Sequence, residues 1–362
     1  MNLLSLQSNQ LAQIFSNFDI IIVSPQSFES TPIIDYFNKK IIVDLYIPSV
    51  IEHQYTFTEQ DQLQQQFYKD QSLYFKSFCH GNLFLCANDA QKHFYQGMMT
   101  AMGRLIQNQS FVTIPFFAEA TSLSKEPSDK IRIAWIGGFW NWLHPEPFID
   151  QVPQIISNIS EIEIHFVGID HPFAKFPMNQ KAIQRVHDLQ SKFPHNIFIQ
   201  PWIDGADYLS FLQKLDAVIL LSKFTTEEEY SIRTRLFEIL ESQVPVILNS
   251  NDELAKLISN NQLGVQIDTS SSLDFSEIIT QLIASKENRN WQEFFNHYDK
   301  ENIQKKLFEA IEHLKNYTNY NAKNPYFIQK LRWNHKILWK IKRLQKLSFS
   351  QVLNKFFGLF KS

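Results

Sequence analysis

The 362-residue chain is 44% hydrophobic and 20% charged, the balance of a folded protein, and its length exceeds what one core usually fills. Residues 313–362 hold 11 Lys/Arg and no acid, so the net charge of −3 hides a body with 23 basic against 37 acidic residues, a net −14 that argues against nucleic acid as the main partner. Cys79 and Cys86 have neither zinc-site nor CxxC spacing and make no disulfide framework, and no run of about 18 apolar residues exists to span a membrane.

The opening MNLLSLQSNQLAQ lacks the basic start and apolar run of a signal peptide, so a cytoplasmic protein is expected. DIIIVS (19–24), KIIVDLY (40–46), NLFLCA (82–87) and SFVTI (110–114) read as strands, and 57–78 and 90–105 as helices. This predicts a small first α/β domain over 1–125, ending in an aperiodic linker, PFFAEATSLSKEPSD (115–129). A second domain, 126–290, alternates IRIAWIG, IEIHFVG, NIFIQ, DAVILLS, VPVILN and LGVQI with amphipathic segments such as PFIDQVPQIISNI and AIQRVHDLQSKF. Strands apolar throughout, alternating with helices of that length, predict a parallel, doubly wound sheet. A helical segment over 291–324 follows, and then a basic amphipathic tail over 325–362.

In open parallel sheets ligands bind beyond the carboxyl ends of the strands. The first such segment, WIGGFWNW, offers Gly137 and Gly138, either a close approach of backbone to ligand or a plain tight turn. It is neither GxGxxG nor a P-loop, so NAD and ATP are not indicated. In FTTEEEYSIRTRLFEILES, Ser231 is expected to N-cap a helix over about 232–241. Arg233 and Arg235 would then sit in its first turn, where the helix dipole disfavours cations unless an anion such as a diphosphate is present; the alternative is pairing with the Glu227–Glu229 run. Glu238, one turn on, is placed to accept from ribose hydroxyls. Trp202 faces a nucleobase or the core, His171 is a ligand contact or a surface histidine, and Asp252 is at least an N-cap. Past a strand end of the first domain, Asp44, Glu52 and His53 are the acceptor-side candidates. No Ser-His-Asp or metal constellation and no DxD stands out, so neither a metal nor another cofactor is expected.

These segments together resemble glycosyltransferase family 4, in its bacterial polysaccharide-type branch: WIGGFWNWLHPEP, VGIDHPF, QPWID, EEEYSIRTRLFEILESQVPVILNSND, and in the first domain VDLYIPSVIEH and LCANDAQKHFYQGMM. The resemblance spans about residues 18–290 and implies the GT-B fold, two Rossmann-like domains facing a central cleft. It further implies a nucleotide-diphospho-sugar donor, a glycan or lipid-linked acceptor, and metal-independent transfer with retention in cell-surface polysaccharide biosynthesis. Glu238 matches the second Glu of the family's E-x7-E element, with Pro245 at the usual distance. Tyr230 stands where the first Glu belongs, so Glu229 is the candidate to orient the donor sugar, and Arg233 and Arg235 replace the family's Arg/Lys pair. The first domain looks shortened, which leaves a non-catalytic GT-B-like binding subunit as the rival. The tail, KLRWNHKILWKIKRLQKLSFSQVLNKFFGLFKS, is either an interfacial membrane segment through about residues 330–362 or a helix packing on the first domain.

Overall fold

The computed structural model describes residues 13–30, 39–57, 59–104, 106, 110–120, 128–169, 178–203 and 205–316. His171 and the tail beyond residue 324 lie outside them.

The first sheet is β1 (Ile20–Val23), β2 (Lys40–Asp44), β3 (Leu83–Cys86) and β4 (Phe111–Thr113), parallel and in sequential order. One face packs on α1 (Ser49–Thr56), α2 (Gln60–His80) and α3 (Asp89–Ala101) through a cluster that includes Ile41, Val43, Phe84, Tyr74, Phe78 and Tyr95. The predicted helix over 57–78 is found as α2, starting three residues later and ending two later, while α1, a separate helix before it, ends just before Phe57, whose backbone is extended. Each parallel strand here needs a crossover helix, and the apolar residues of KIIVD point to both faces because both are covered.

The second sheet runs β10-β9-β8-β5-β6-β7, all parallel, from β5 (Ile131–Ile136), β6 (Ile162–Val167), β7 (Ile197–Gln200), β8 (Ala217–Leu220), β9 (Val246–Leu248) and β10 (Gly264–Gln266). Helices α4 (Glu146–Asn158), α5 (Gln180–Lys192), α6 (Gly205–Leu212), α7 (Thr226–Tyr230), α8 (Arg235–Glu241), α9 (Glu253–Asn260) and α10 (Phe275–Ala284) connect and follow the strands. All four residues of β8, AVIL, are buried, as a central strand covered on both faces requires. The strand order reverses between β5 and β8, which makes their carboxyl ends the topological switch point.

After α11 (Trp291–His297), helix α12 (Lys300–Asn316) returns to the first sheet, where Leu314 packs on Ile42 and Leu83. Lys40 at the head of β2 donates through Nζ to the carbonyls of Leu314 (2.7 Å) and Lys315 (2.6 Å), satisfying acceptors that the last helical turn leaves open. Among the described residues the chain therefore passes between the halves twice. The two passages touch: Ala118 N donates to Tyr298 O at 2.9 Å, and Lys300 Nζ meets Glu119 Oε1 at 2.8 Å. No helix among the described residues is long and apolar enough to cross a membrane.

Candidate functional site

The site is built at the switch point. After β5 the chain turns at Gly137 (φ +103), a conformation that side chains resist. Its amide donates to Val167 O at 2.7 Å, and its carbonyl accepts from the buried Trp135 indole at 3.1 Å. There is a second reason for glycine. A Cβ here would lie 2.0 Å from Nη1 of Arg235, whose guanidinium crosses the turn and donates to Ile136 O at 2.6 Å. Burial pushes Arg235 down from its ordinary pKa, with the nearby Tyr208 and Glu238 opposing. Among the described residues no carboxylate forms an ion pair with it.

The segment after β8 differs from its expected form. Ser231 does not N-cap a helix but follows the end of α7: its hydroxyl donates to Glu227, and its own backbone is extended. The helix starts at Arg235, after Thr234. Arg233 therefore precedes the helix and forms a two-point pair with Glu227, Nη2–Oε2 2.9 Å and Nη1–Oε1 3.2 Å, with side-chain exposures of 13% and 5%. The physical reason lies in α7, a five-residue helix that turns Glu227 and Glu228 inward and leaves Glu229 exposed. Carbonyl Tyr230 O at its end accepts from Gln91 Nε2 of the first half at 2.8 Å, and Thr226 N donates to Tyr55 OH at 3.1 Å. Gln91 is fully buried, and its amide also serves Ala87 N and Tyr46 O, so α7 is tied to α3 by a satisfied polar group.

Between the halves lies a cavity of about 390 Å³. Arg233, Arg235, Glu227, Trp140 and Trp142 line it from the second half, and Tyr46, Ile47 and Glu52 from the first, with Phe116 of the passage between them. Glu52 is raised from its ordinary value by burial and by Glu227, while His53 and Arg233 hold it back. Glu228 is raised to about 7, first by burial, with Arg233 opposing and Asp252 and Glu227 adding like charge. One of its carboxylate oxygens is buried without a hydrogen-bond partner among the described residues.

This gives a pH prediction. Between about 4.5 and 7 the folded state keeps the Glu228 proton that the unfolded chain has released, so stability falls as pH rises through that window. Glu228→Gln removes the penalty. Its Tm should match wild type near pH 4.5 and exceed it increasingly up to pH 8. A constant offset across that range would sink the assignment.

Of the candidates read from sequence, this cavity brings together Glu52, Arg233 and Arg235, with Gly137 directly behind Arg235. The others lie elsewhere. Glu229 and Glu238 are exposed and do not line it. Gly138 packs near Met178 and Trp140, and Trp202 covers Gly168 at the end of β6, still 38% exposed. Asp44 is exposed and accepts from Tyr46 N. His53 is hydrogen-bonded through Nδ1 to the buried Asp70 at 2.6 Å. Asp252 caps α9, accepting from Ala255 N at 2.7 Å, and lines a separate cavity of about 300 Å³ with Asn88, His297 and Lys306. Asp252→Ala should cost about 1 kcal/mol of stability and Asp252→Asn almost nothing, since asparagine caps equally well. Equal losses in denaturant titrations would assign the carboxylate another role. Sequence reasoning missed Tyr46, Phe116, Trp140, Trp142 and Glu227 as lining residues. The Trp-rich WIGGFWNW run was the available signal for two of them.

No protein-family model and no curated protein matches the sequence. Solved structures do match. Sucrose-phosphate synthase from Thermosynechococcus elongatus superimposes with TM-score 0.62 and 11% identity over 85% of this chain and 77% of that one. HepE of Anabaena, in complex with UDP-glucose, gives 0.60 and 14% over 84% and 82%. A chain of the accessory secretory protein 1, 2 and 3 structure from Streptococcus pneumoniae gives 0.55 and 12% over 85% of this chain and 57% of its own length. Two parallel α/β halves enclosing a cleft, with helix α12 returned to the first half, are the GT-B fold of such glycosyltransferases.

Proposed function

We propose that this chain is a glycosyltransferase that takes a sugar from a nucleotide-diphospho-sugar and passes it to a glycan or lipid-linked acceptor. The observation that carries the reading is Arg235: a largely desolvated guanidinium without an ion-pair partner among the described residues, crossing the Gly137 turn at the switch point and lining the cleft. An unpaired charge so placed is costly unless an anion completes it. A diphosphate is the anion that suits a GT-B cleft, and HepE, of similar fold, was solved with UDP-glucose.

In the proposed reaction the acceptor hydroxyl oxygen bonds to the anomeric carbon as the bond from that carbon to the diphosphate oxygen breaks. The hydroxyl proton leaves with the phosphate, so the products are a glycoside and a nucleoside diphosphate. Arg235, and Arg233 where Glu227 leaves charge to spare, stabilise the departing diphosphate. The cleft supplies orientation. We further propose retention at the anomeric carbon without a metal, on the strength of the sequence resemblance. Proton NMR of the product's anomeric signal and an EDTA control test these two points. The tail over 330–362 is proposed to hold the protein at an anionic membrane surface on the cytoplasmic side, in polysaccharide assembly. Co-sedimentation with anionic but not neutral vesicles checks that.

Thermal unfolding with UDP, GDP, dTDP and CMP is the first test. At about 100 times Kd a bound nucleotide adds about 2.7 kcal/mol of stability, and Arg235→Lys should lose most of that gain. No shift with any nucleotide would end the donor-site reading.

A second reading, a non-catalytic binding subunit, is favoured by Tyr230 in the place of a donor-facing glutamate, its carbonyl committed to Gln91. Incubation with UDP-glucose and GDP-mannose separates the two. Slow release of free sugar supports the enzyme, and nucleotide binding without release from any donor supports the subunit.

A further inference from the structure

Helix α12 covers the outer face of the first sheet only in part. Its inner residues Ala310, Ile311 and Leu314 pack with Ile20, Ile42 and Leu83. On one flank Lys306 lines the cavity of about 300 Å³ with Asp89 and Thr113, at the ends of β3 and β4. Phe308 stands about 160° round the helix from Lys306, since each residue turns about 100°, and so lies on the flank toward β1. It is 62% exposed. Ile22, on the same face of the edge strand β1 as Ile20, is 55% exposed. Apolar surface therefore continues from α12 toward the edge of the sheet.

Around Phe308 the surface is acidic. Glu301, Glu309 and Glu312 share its groove with one cation, Lys305. Lys315 pairs with Glu312 and Lys300 with Glu119, which leaves Glu301 and Glu309 without an ion pair among the described residues.

The chain continues past α12. Residues 317–362 hold ten Lys/Arg and no acid, and seven of the ten fall within 330–346. At helical spacing that segment carries two neighbouring rows: Arg332, Lys336, Lys340 and Arg343, and beside them Trp333, Ile337, Ile341 and Leu344. A basic row beside an apolar one complements glutamates beside Phe308 and Ile22. The reach is sufficient, because residues 317–329 span up to about 45 Å when extended, against about 25 Å for the whole of α12. A tethered segment also meets the helix at an effective concentration on the order of millimolar, so modest affinity fills the site. Other occupants fit less well. A second copy meeting this face by two-fold symmetry would set the glutamates against themselves, and an anionic membrane would meet the same repulsion.

We infer that the face of α12 centred on Phe308 is a berth for residues 330–346 of the same chain. The aromatic and aliphatic row covers Phe308 and Ile22, and the basic row meets Glu301, Glu309 and Glu312. The berth itself does not depend on transferase chemistry. Its regulatory meaning rests on the membrane-surface reading of the tail: the cations that hold the berth are those offered to anionic lipid, so the tail leaves α12 when it settles on a membrane.

The test is zero-length carbodiimide cross-linking of the full chain, read by mass spectrometry, which joins a carboxylate to a lysine only where the two touch. Links should form from Glu301, Glu309 or Glu312 to Lys336 or Lys340, with a yield unchanged on about tenfold dilution. Phe308→Ser should cut that yield about fivefold. The double variant Glu301→Lys/Glu309→Lys should do the same to the links from Glu312; all three positions are exposed, so Tm should hold. Phosphatidylglycerol vesicles should cut the wild-type yield about fivefold, and phosphatidylcholine vesicles should leave it unchanged. Absence of the links, or full yield in both variants, overturns the inference. So does a yield that falls with dilution, which makes the occupant the tail of a second copy. Co-sedimentation of the same samples separates the two ideas. Links without binding to either vesicle keep the berth and remove the membrane reading. Vesicle binding without links removes the berth and leaves the membrane reading standing. Links undiminished on vesicle-bound protein show that the cations are not shared, and overturn the exchange between the two.

Discussion

Arg233→Ala should lower stability by about 3–5 kcal/mol, the cost of leaving a buried charge without its partner, and so lower Tm by on the order of 10 °C. The reason is the company Arg233 keeps. It forms a two-point pair with Glu227, and its charge also acts on Glu52, Glu228 and Asp252. Each of those three carboxyls is raised by burial and held back by this guanidinium. Without it the carboxylates repel one another in a poorly hydrated space, and protonation relieves them. The deficit should therefore shrink as pH falls from 8 to 5, because the folded variant takes up protons that the unfolded chain does not. Urea titrations at both pH values measure it. A loss below about 1 kcal/mol, independent of pH, would mean that the pair behaves as an exposed one.

The second large effect is expected at Gly137. Gly137→Val places a branched side chain at φ +103 and drives Cβ into the Arg235 guanidinium, which is held at Ile136 O. Backbone strain alone costs about 1–3 kcal/mol. Displacing Arg235 also removes the group proposed to meet the diphosphate, so nucleotide-induced stabilisation should disappear as well. Gly168→Ala is the comparison. Its φ of +66 is also left-handed, but the added Cβ meets the edge of the partly exposed Trp202 ring at 3.0 Å. That variant should lose about 1 kcal/mol and keep its nucleotide response. Equal behaviour of the two variants would show that the conformation of the turn, and not Arg235, governs both.

The strands were legible because burial on both faces leaves a signature in composition. IRIAWI and AVIL hold runs of apolar residues, and the structure places them side by side at the centre of the second sheet. The glycine pair and the arginines were legible as a group because the switch point is a property of strand order, which the alternation of elements already implies. What lay beyond sequence reasoning was decided by contacts between distant segments. Ser231 has the composition of a helix cap, yet its hydroxyl goes to Glu227 and the helix starts four residues later. Three consecutive glutamates look alike in sequence. A short helix anchored by Tyr55 and Gln91 of the other half selects Glu227 and Glu228 for burial and turns Glu229 to solvent. Likewise, that Trp140 and Trp142 line the same cavity as Tyr46 is fixed by the position of the first half, to which no local pattern refers.

The paired passage of the chain has a mechanical meaning. A single strand joining two bodies lets them swivel as well as bend. Here the segment at Ala118 and the segment at Tyr298–Lys300 run side by side, joined by a backbone hydrogen bond and by the Lys300–Glu119 contact. Two chains fastened together resist torsion about their common axis far more than flexing across it. A change in the angle between the halves would therefore flex this pair rather than twist it, and would keep Glu52 of the first half opposite Arg233 of the second.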